Sequence, residues 1–279
     1  MTTNQNTVEL SAPANPGRRH AWLAVVLTVI GAVIALASIG NGAYAAMLDS
    51  TGRTSTEQLS VAEVKSIVIE VEQTGLDVTV GSGTEAKLTQ NVRGFDESAA
   101  VGMTLKGTEL HVSVHGVPSV QFGDENVQAA TLELPATLLA EHPALSVMVT
   151  EGALNLQGSY GAVTAELKSG MLRMTGSAQS VAAAIQSGLA ELSYDVQDTF
   201  DVSVQEGLVT VTEEGATAPT AMSFDVSSGM LDVTVPDVAY KTDVEVSSGA
   251  QDVTVERDDA SKNALTVNAD SGAVSVRHR

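Results

Sequence analysis

The sequence predicts a mainly β chain: a β-solenoid of stacked β-coils with Ser-Gly corners, preceded by a single transmembrane helix. Three observations predict it. Residues 22–39 form an uncharged run of apolar, Gly, Thr and Ser residues. Beyond residue 63 apolar and polar residues alternate with period 2, the signature of half-buried strands. From residue 144 onward, a unit of roughly 20 residues recurs, each copy centred on one glycine.

Residues 1–21 are polar, rich in Pro and Asn, and end in Arg18-Arg19-His20, which reads as a short disordered cytoplasmic tail. Residues 22–47 are expected to form the transmembrane helix. Trp22–Ile39 alone spans roughly 27 Å at about 1.5 Å per residue, and the weakly polar Gly40–Met47 carries it past the ~30 Å hydrocarbon layer. Arg18 and Arg19 precede the run and Asp49 follows it, so the positive-inside rule places the N-terminus in the cytosol. The chain is then a single-pass protein of the cell membrane with its C-terminal domain extracellular. A cleavable leader fits the same stretch, since Ala43-Tyr44-Ala45 has a small-x-small pattern and Arg18-Arg19 resembles a twin-arginine signal. Either way the remainder is exported.

The charge has the same address. The chain carries 14 Lys+Arg against 34 Asp+Glu, a net charge of −20, and all its acids except Glu9 and Asp49 lie beyond residue 49. A pI near 4.4 excludes a nucleic-acid binder, which needs a basic footprint. The absence of cysteine excludes disulfide scaffolds, thiolate metal sites and thiol nucleophiles.

Residues 48–62 read as a polar linker, with a short helical turn expected over Glu57–Val64. Residues 63–143 form an N-terminal β region with strands at Ser66–Glu72, Leu76–Val80 and Leu110–Val114, and a second helical turn over Ala136–His142. Residues 144–279 form a seven-repeat β-solenoid, its corners at Gly152, Gly170, Gly188, Gly207, Gly229, Gly249 and Gly272. The fifth and third residues before each glycine are apolar, as are the second and fourth after it. Gln251 alone breaks these columns. Repeats of this length cannot bury an apolar face singly, so they stack. An antiparallel meander of hairpins would produce the same alternation and stays open at this point. The 3% aromatic content agrees with narrow aliphatic ladders about 4.8 Å apart, into which a ring is expected not to fit.

The stretches Glu166–Met174, Asp225–Val235 and Glu245–Val255, with Thr131-Leu-Glu-Leu-Pro135 ahead of the first coil, resemble the bacterial putative-adhesin, domain-of-unknown-function family of membrane-anchored repeat proteins. The resemblance covers residues 60–279. It implies a β-solenoid on the bacterial envelope behind a membrane helix, and brings no catalytic residues with it.

Candidate chemistry is sparse. His111 and His115 lie on one face of a strand, but four residues apart puts them about 13 Å from each other, too far for one ion. Gly81-Ser-Gly-Thr-Glu-Ala86 follows a strand but opens no helix, so it reads as a turn rather than a phosphate loop. Sequential stacking would place Asp232 against Asp252 and Asp225 against Glu245. Each pair then costs roughly 0.9 kcal/mol in a water-like dielectric, which demands no bound cation. Arg173 and Glu191 share a slot in neighbouring coils and are expected to pair. No catalytic, cofactor-binding or metal-ligating residue is assigned, and no cofactor.

The function expected is a non-catalytic, membrane-anchored cell-envelope protein presenting an acidic surface for adhesion or partner binding, the partner being an envelope or extracellular protein or glycan. An accessory sensor or scaffold in envelope-stress signalling is the alternative. A polysaccharide-active enzyme ranks lower, because sugar sites use aromatic platforms and the repeat holds only Tyr160, Tyr194, Phe200, Phe224 and Tyr240.

Overall fold

The computed structural model describes residues 53–92, 100–116 and 129–279. The chain divides into two units, 1–51 and 52–279, the second of which holds every described residue. The tail 1–21 and the apolar run 22–47 lie outside the described residues. Among those described, no helix is long and apolar enough to cross a membrane.

The described chain is mainly β. Its strands are β1 (Arg53–Ser60), β2 (Ser66–Gly81), β3 (Glu85–Val92), β4 (Ala100–Lys106), β5 (Glu109–His115) and β6 (Ala129–Pro135), followed by the four-residue helix α1 (Ala136–Leu139). Then come β7 (Ala144–Leu167), β8 (Met171–Ile185), β9 (Leu189–Val204), β10 (Leu208–Glu213), β11 (Ala221–Val226) and β12 (Met230–Val235). The chain closes with β13 (Lys241–Val246), β14 (Ala250–Thr254), β15 (Ala264–Ala269) and β16 (Ala273–His278). All belong to one mixed sheet.

Within it the repeat units pair in parallel. Ala153–Leu167 runs beside Met171–Ile185, which runs beside Leu189–Val204, residues lying opposite their counterparts one repeat away apart from a register shift between Ala178 and Ser180. Parallel pairing in register excludes the antiparallel meander for these segments, because a hairpin reverses the strand. In the repeat stretch, long strands are joined by short Ser-Gly or Glu-Gly turns, and successive copies pair edge to edge in parallel. The glycine is required by its neighbour: a Cβ at Gly170 would overlap the carbonyl oxygen of Gly152, and one at Gly188 that of Gly170. Gly170 and Gly188 also sit at φ 115° and 118°, where side chains are strained.

Stacking does not follow chain order at either end. After β10 and β12 comes β16, and only then β14; on the other half β11 is followed by β15 and then β13. The C-terminal coil thus inserts between the two coils that precede it in sequence. The expected contacts Asp232–Asp252 and Asp225–Glu245 are therefore corrected: Ser275 lies between the first pair and Asn268 between the second. Asn268 donates to Asp225 at 2.7 Å, and the Arg277 guanidinium forms a two-point ion pair with Asp232, Nη2 to Oδ2 at 2.9 Å. At about 9.6 Å, two strand spacings, the repulsion of each acidic pair falls to roughly 0.4 kcal/mol. Gln251 finds its reason here as well. It belongs to the outermost coil, where its slot is exposed and needs no apolar side chain.

At the other end β2 is itself a coil, pairing in parallel with β7 on one side and with β5 and β6 on the other. Its corner is Thr74 opposite Gly152, with Gln73 at φ 57°, so a glycine-based alignment passes over it. Antiparallel β4 covers β5, while β3 and β1 extend from β6. Arg53–Ser60, within the segment read as linker, is thus a strand. The helical turn expected over Glu57–Val64 is corrected too, because β3 offers Thr- and Ser-rich residues a row of backbone partners. The turn expected over Ala136–His142 is α1 and the bend after it.

The core is a set of inward columns of Val, Leu, Ile, Ala and Met. Rings join it, contrary to expectation: Tyr160, Tyr194, Phe200, Phe224 and Tyr240 are all fully buried. Small neighbours make the room. Ala178 lies beside Tyr160 and Gly176 beside Tyr194, while Phe200 and Phe224 pack tilted with centroids 6.4 Å apart.

Candidate functional site

Apart from Arg173 and Glu191, the residues singled out from the sequence sit apart from one another. On β5 the apolar Leu110, Val112 and Val114 point inward, leaving His111 and His115 half-exposed on the outer face. Each histidine has its own carboxylate: His111 Nε2 meets Glu109, and His115 Nδ1 lies 3.0 Å from Glu72. The two do not converge, and among the described residues no three His, Asp or Glu side chains group to hold a metal. Gly81–Thr84 ends β2 and turns into β3, as expected of a turn. Arg173 and Glu191 do pair across neighbouring coils, at 2.6 Å. The five aromatics of the repeat, Tyr160, Tyr194, Phe200, Phe224 and Tyr240, are all enclosed and form no outer platform for a sugar.

Two features were not anticipated. The first is Glu213, the one charged side chain fully buried among the described residues. It ends β10, where Val209, Val211 and Glu213 share the inward parity. Its Oε1 accepts hydrogen bonds from the backbone N–H of Val196 and of Gly215, each at 3.0 Å, while Oε2 has no partner. In the adjacent coil Tyr194 holds the same column and its hydroxyl is likewise unpartnered. Burial pushes the Glu213 carboxyl up to about 7; the two N–H donors oppose this, Asp195 adds to it, and Arg279 counteracts it. Arg279 fastens the chain end nearby, donating to the carbonyls of Glu214 at 2.9 Å and Gly215 at 3.2 Å. Enclosed on all sides, Glu213 meets no solute. Its chemistry is a proton equilibrium of the interior. Parity along Leu208–Glu213 could have flagged it, but the residue reads equally as the start of the return loop.

The second feature lies outside. The first residue after each corner glycine points outward, yet it is apolar in every copy: Ala153, Met171, Leu189, Leu208, Met230, Ala250 and Ala273. Parallel register turns this into a line. Met171 is opposite Leu189, Leu189 opposite Leu208, and Leu208 opposite Met230. These four are 48%, 37%, 41% and 50% exposed. At about 4.8 Å per coil the ridge is roughly 14 Å long. On its corner side it is bordered by glycines and serines with Glu206, and on the other side by the outward column Arg173, Glu191, Thr210 and Asp232. The sequence signal was present as a column of wrong parity.

Acids gather on the first-half strands. Asp201, Asp225, Asp243 and Glu245 all face outward there, at the distal end of the stack. Burial, and then Asp225, raise the Asp201 carboxyl above its ordinary value.

No family model and no curated protein matches the chain. Among solved structures it is similar to a putative cell adhesion protein from Clostridium sporogenes, at 10% identity, covering 82% of this chain and 100% of that one with a TM-score of 0.39. It is also similar to a putative adhesin from Bacteroides fragilis, at 12% identity, covering 81% and 97% with a TM-score of 0.41. A putative adhesin from Parabacteroides distasonis is 12% identical, over 81% and 98%, with a TM-score of 0.32.

Proposed function

We propose that this chain is a non-catalytic, membrane-anchored protein of the cell envelope that presents an acidic β-solenoid surface to an external partner, in adhesion or a related binding role. The observation that carries the reading is the parallel register, which converts outward residues of successive coils into straight columns. Nine coils stack between β5 and β13, so the columns run over roughly 38 Å at about 4.8 Å per step. A rigid array of this kind favours an extended partner, met by repetition of weak contacts rather than by one pocket. The acids at its distal end favour a partner carrying basic groups. The apolar run 22–47, with Arg18 and Arg19 ahead of it, would tether the C-terminal region outside the membrane.

The test uses the full chain on cells. Expected is retention in the membrane fraction, with protease removing the C-terminal region from intact cells. Changing Asp201, Asp225 and Asp243 to Asn and Glu245 to Gln should lower cell attachment or partner capture several-fold. Unaltered attachment by that variant, or a chain released after Ala45, would contradict the acidic surface or the anchor respectively.

A further inference from the structure

We infer that the ridge Met171–Leu189–Leu208–Met230 is the contact between two copies of this chain, packed antiparallel about a two-fold axis passing between Leu189 and Leu208. Four of the seven large apolar side chains exposed among the described residues stand in this one line. Scattered exposed apolar residues are ordinary, but a contiguous row marks an interaction surface.

The order of residues along the ridge selects the occupant. A two-fold contact needs a surface complementary to itself when reversed. Continued by one coil at each end, the column reads Ala153, Met171, Leu189, Leu208, Met230, Ala273. It is the same in both directions. Reversal puts Met171 against Met230, Leu189 against Leu208 and Ala153 against Ala273, so bulky side chains meet bulky ones and the tapered ends meet each other.

Charge agrees with self-association at this edge, despite the net −20 of the chain. From two residues before the corner to three after it, these four coils carry Lys168 and Arg173 against Glu191, Glu206 and Asp232. The band is close to neutral, while the surplus acids lie on other faces. An axis lying across the ridge keeps each flank facing the same flank of the second copy. Arg173 is thereby brought opposite Asp232 of that copy, in a column where Arg173 already pairs with Glu191 and Asp232 with Arg277. A parallel pairing, its axis along the ridge, would exchange the flanks and turn Arg173 and Asp232 toward the Ser169 and Ser228 side of the second copy, with no such ion pair. A single row of side chains buries less than the roughly 800 Å² per partner of a standard interface, so the dimer is weak and concentration-dependent.

The chain has no native cysteine, which makes cross-linking unambiguous. Full-length Met171→Cys and Met230→Cys variants are oxidised mildly, each alone and mixed. Antiparallel packing predicts a disulfide-linked dimer in the mixture, at least tenfold more abundant than with either variant alone. In light scattering, Met171→Lys or Met230→Glu should each abolish the dimer, and the double variant should restore it. No cross-link in the mixture at about 100 μM, the range of weak contacts, overturns the inference. So does Met171→Cys cross-linking alone as well as the mixture, or failure of the double variant to restore the dimer. A ridge shielded only on adding phosphatidylglycerol vesicles would also overturn it, in favour of a lipid surface. Each variant is melted alongside wild type, and an unchanged transition shows that it is folded.

Discussion

Replacing Glu213 by Gln should separate its proton equilibrium from every other acid in the chain. The folded state raises this carboxyl from 4.5 to about 7 by burial, so folding binds its proton more tightly than the unfolded chain does. The Glu213 contribution to stability is therefore fully present below about 4.5, is lost as pH rises toward 7, and is flat above that. At about 1.4 kcal/mol per pH unit, the loss amounts to roughly 3 kcal/mol. Gln keeps an acceptor for the N–H groups of Val196 and Gly215 but carries no charge. Urea melts of wild type and Glu213→Gln at pH 4.5, 6 and 8 should give near-equal stabilities at the lowest pH. The variant should become more stable by up to about 3 kcal/mol at the highest. Taking the difference cancels the other acids. A variant whose stability tracks wild type across the range, or falls below it at pH 8, would refute the reasoning.

Three further outcomes follow from the packing. Gly170→Ala should cost about 3 kcal/mol in urea melts, because its Cβ overlaps the Gly152 carbonyl and φ is 115°. Gly107→Ala, with positive φ but open space around it, should cost only about 1 kcal/mol. Phe200→Ala should lose about 3–5 kcal/mol and Phe200→Leu much less, which thermal melting can rank. Arg277→Ala should destabilise slightly in low salt and not measurably in 0.5 M salt (about a 4 Å screening length), because its pair with Asp232 is exposed.

Much of the coil geometry was legible because it is local. Inward parity follows from the two-residue period, so Leu172 and Met174, or Val209 and Val211, could be placed from alternation alone. The Arg173–Glu191 pair followed from counting to the same slot in the next copy. The β2 coil escaped notice because Thr74 stands where other coils have glycine. Stack order escaped for a different reason. Every coil presents nearly the same edges, so local pattern is indifferent to which copy lies next, and loop reach and tertiary packing decide. One clue was in view: Gln251, polar in an apolar column, suits an open end. The ridge was hidden by the assumption that outward positions are polar, and Glu213 by its place where strand becomes loop.

Every surface described above depends on the order in which the coils stack, and cysteine pairs at Asp232, Ser275 and Asp252 test that order most directly. Neighbouring parallel strands bring Cα atoms within the roughly 4.4–6.8 Å a disulfide spans, while a skipped coil leaves them about 10 Å apart. Oxidation should close Asp232→Cys with Ser275→Cys, and Ser275→Cys with Asp252→Cys, within one chain. Asp232→Cys with Asp252→Cys should stay open. Ready closure of that last pair, with the Asp232–Ser275 pair left open, would mean that the coils stack in sequence order and contradict the inserted C-terminal coil.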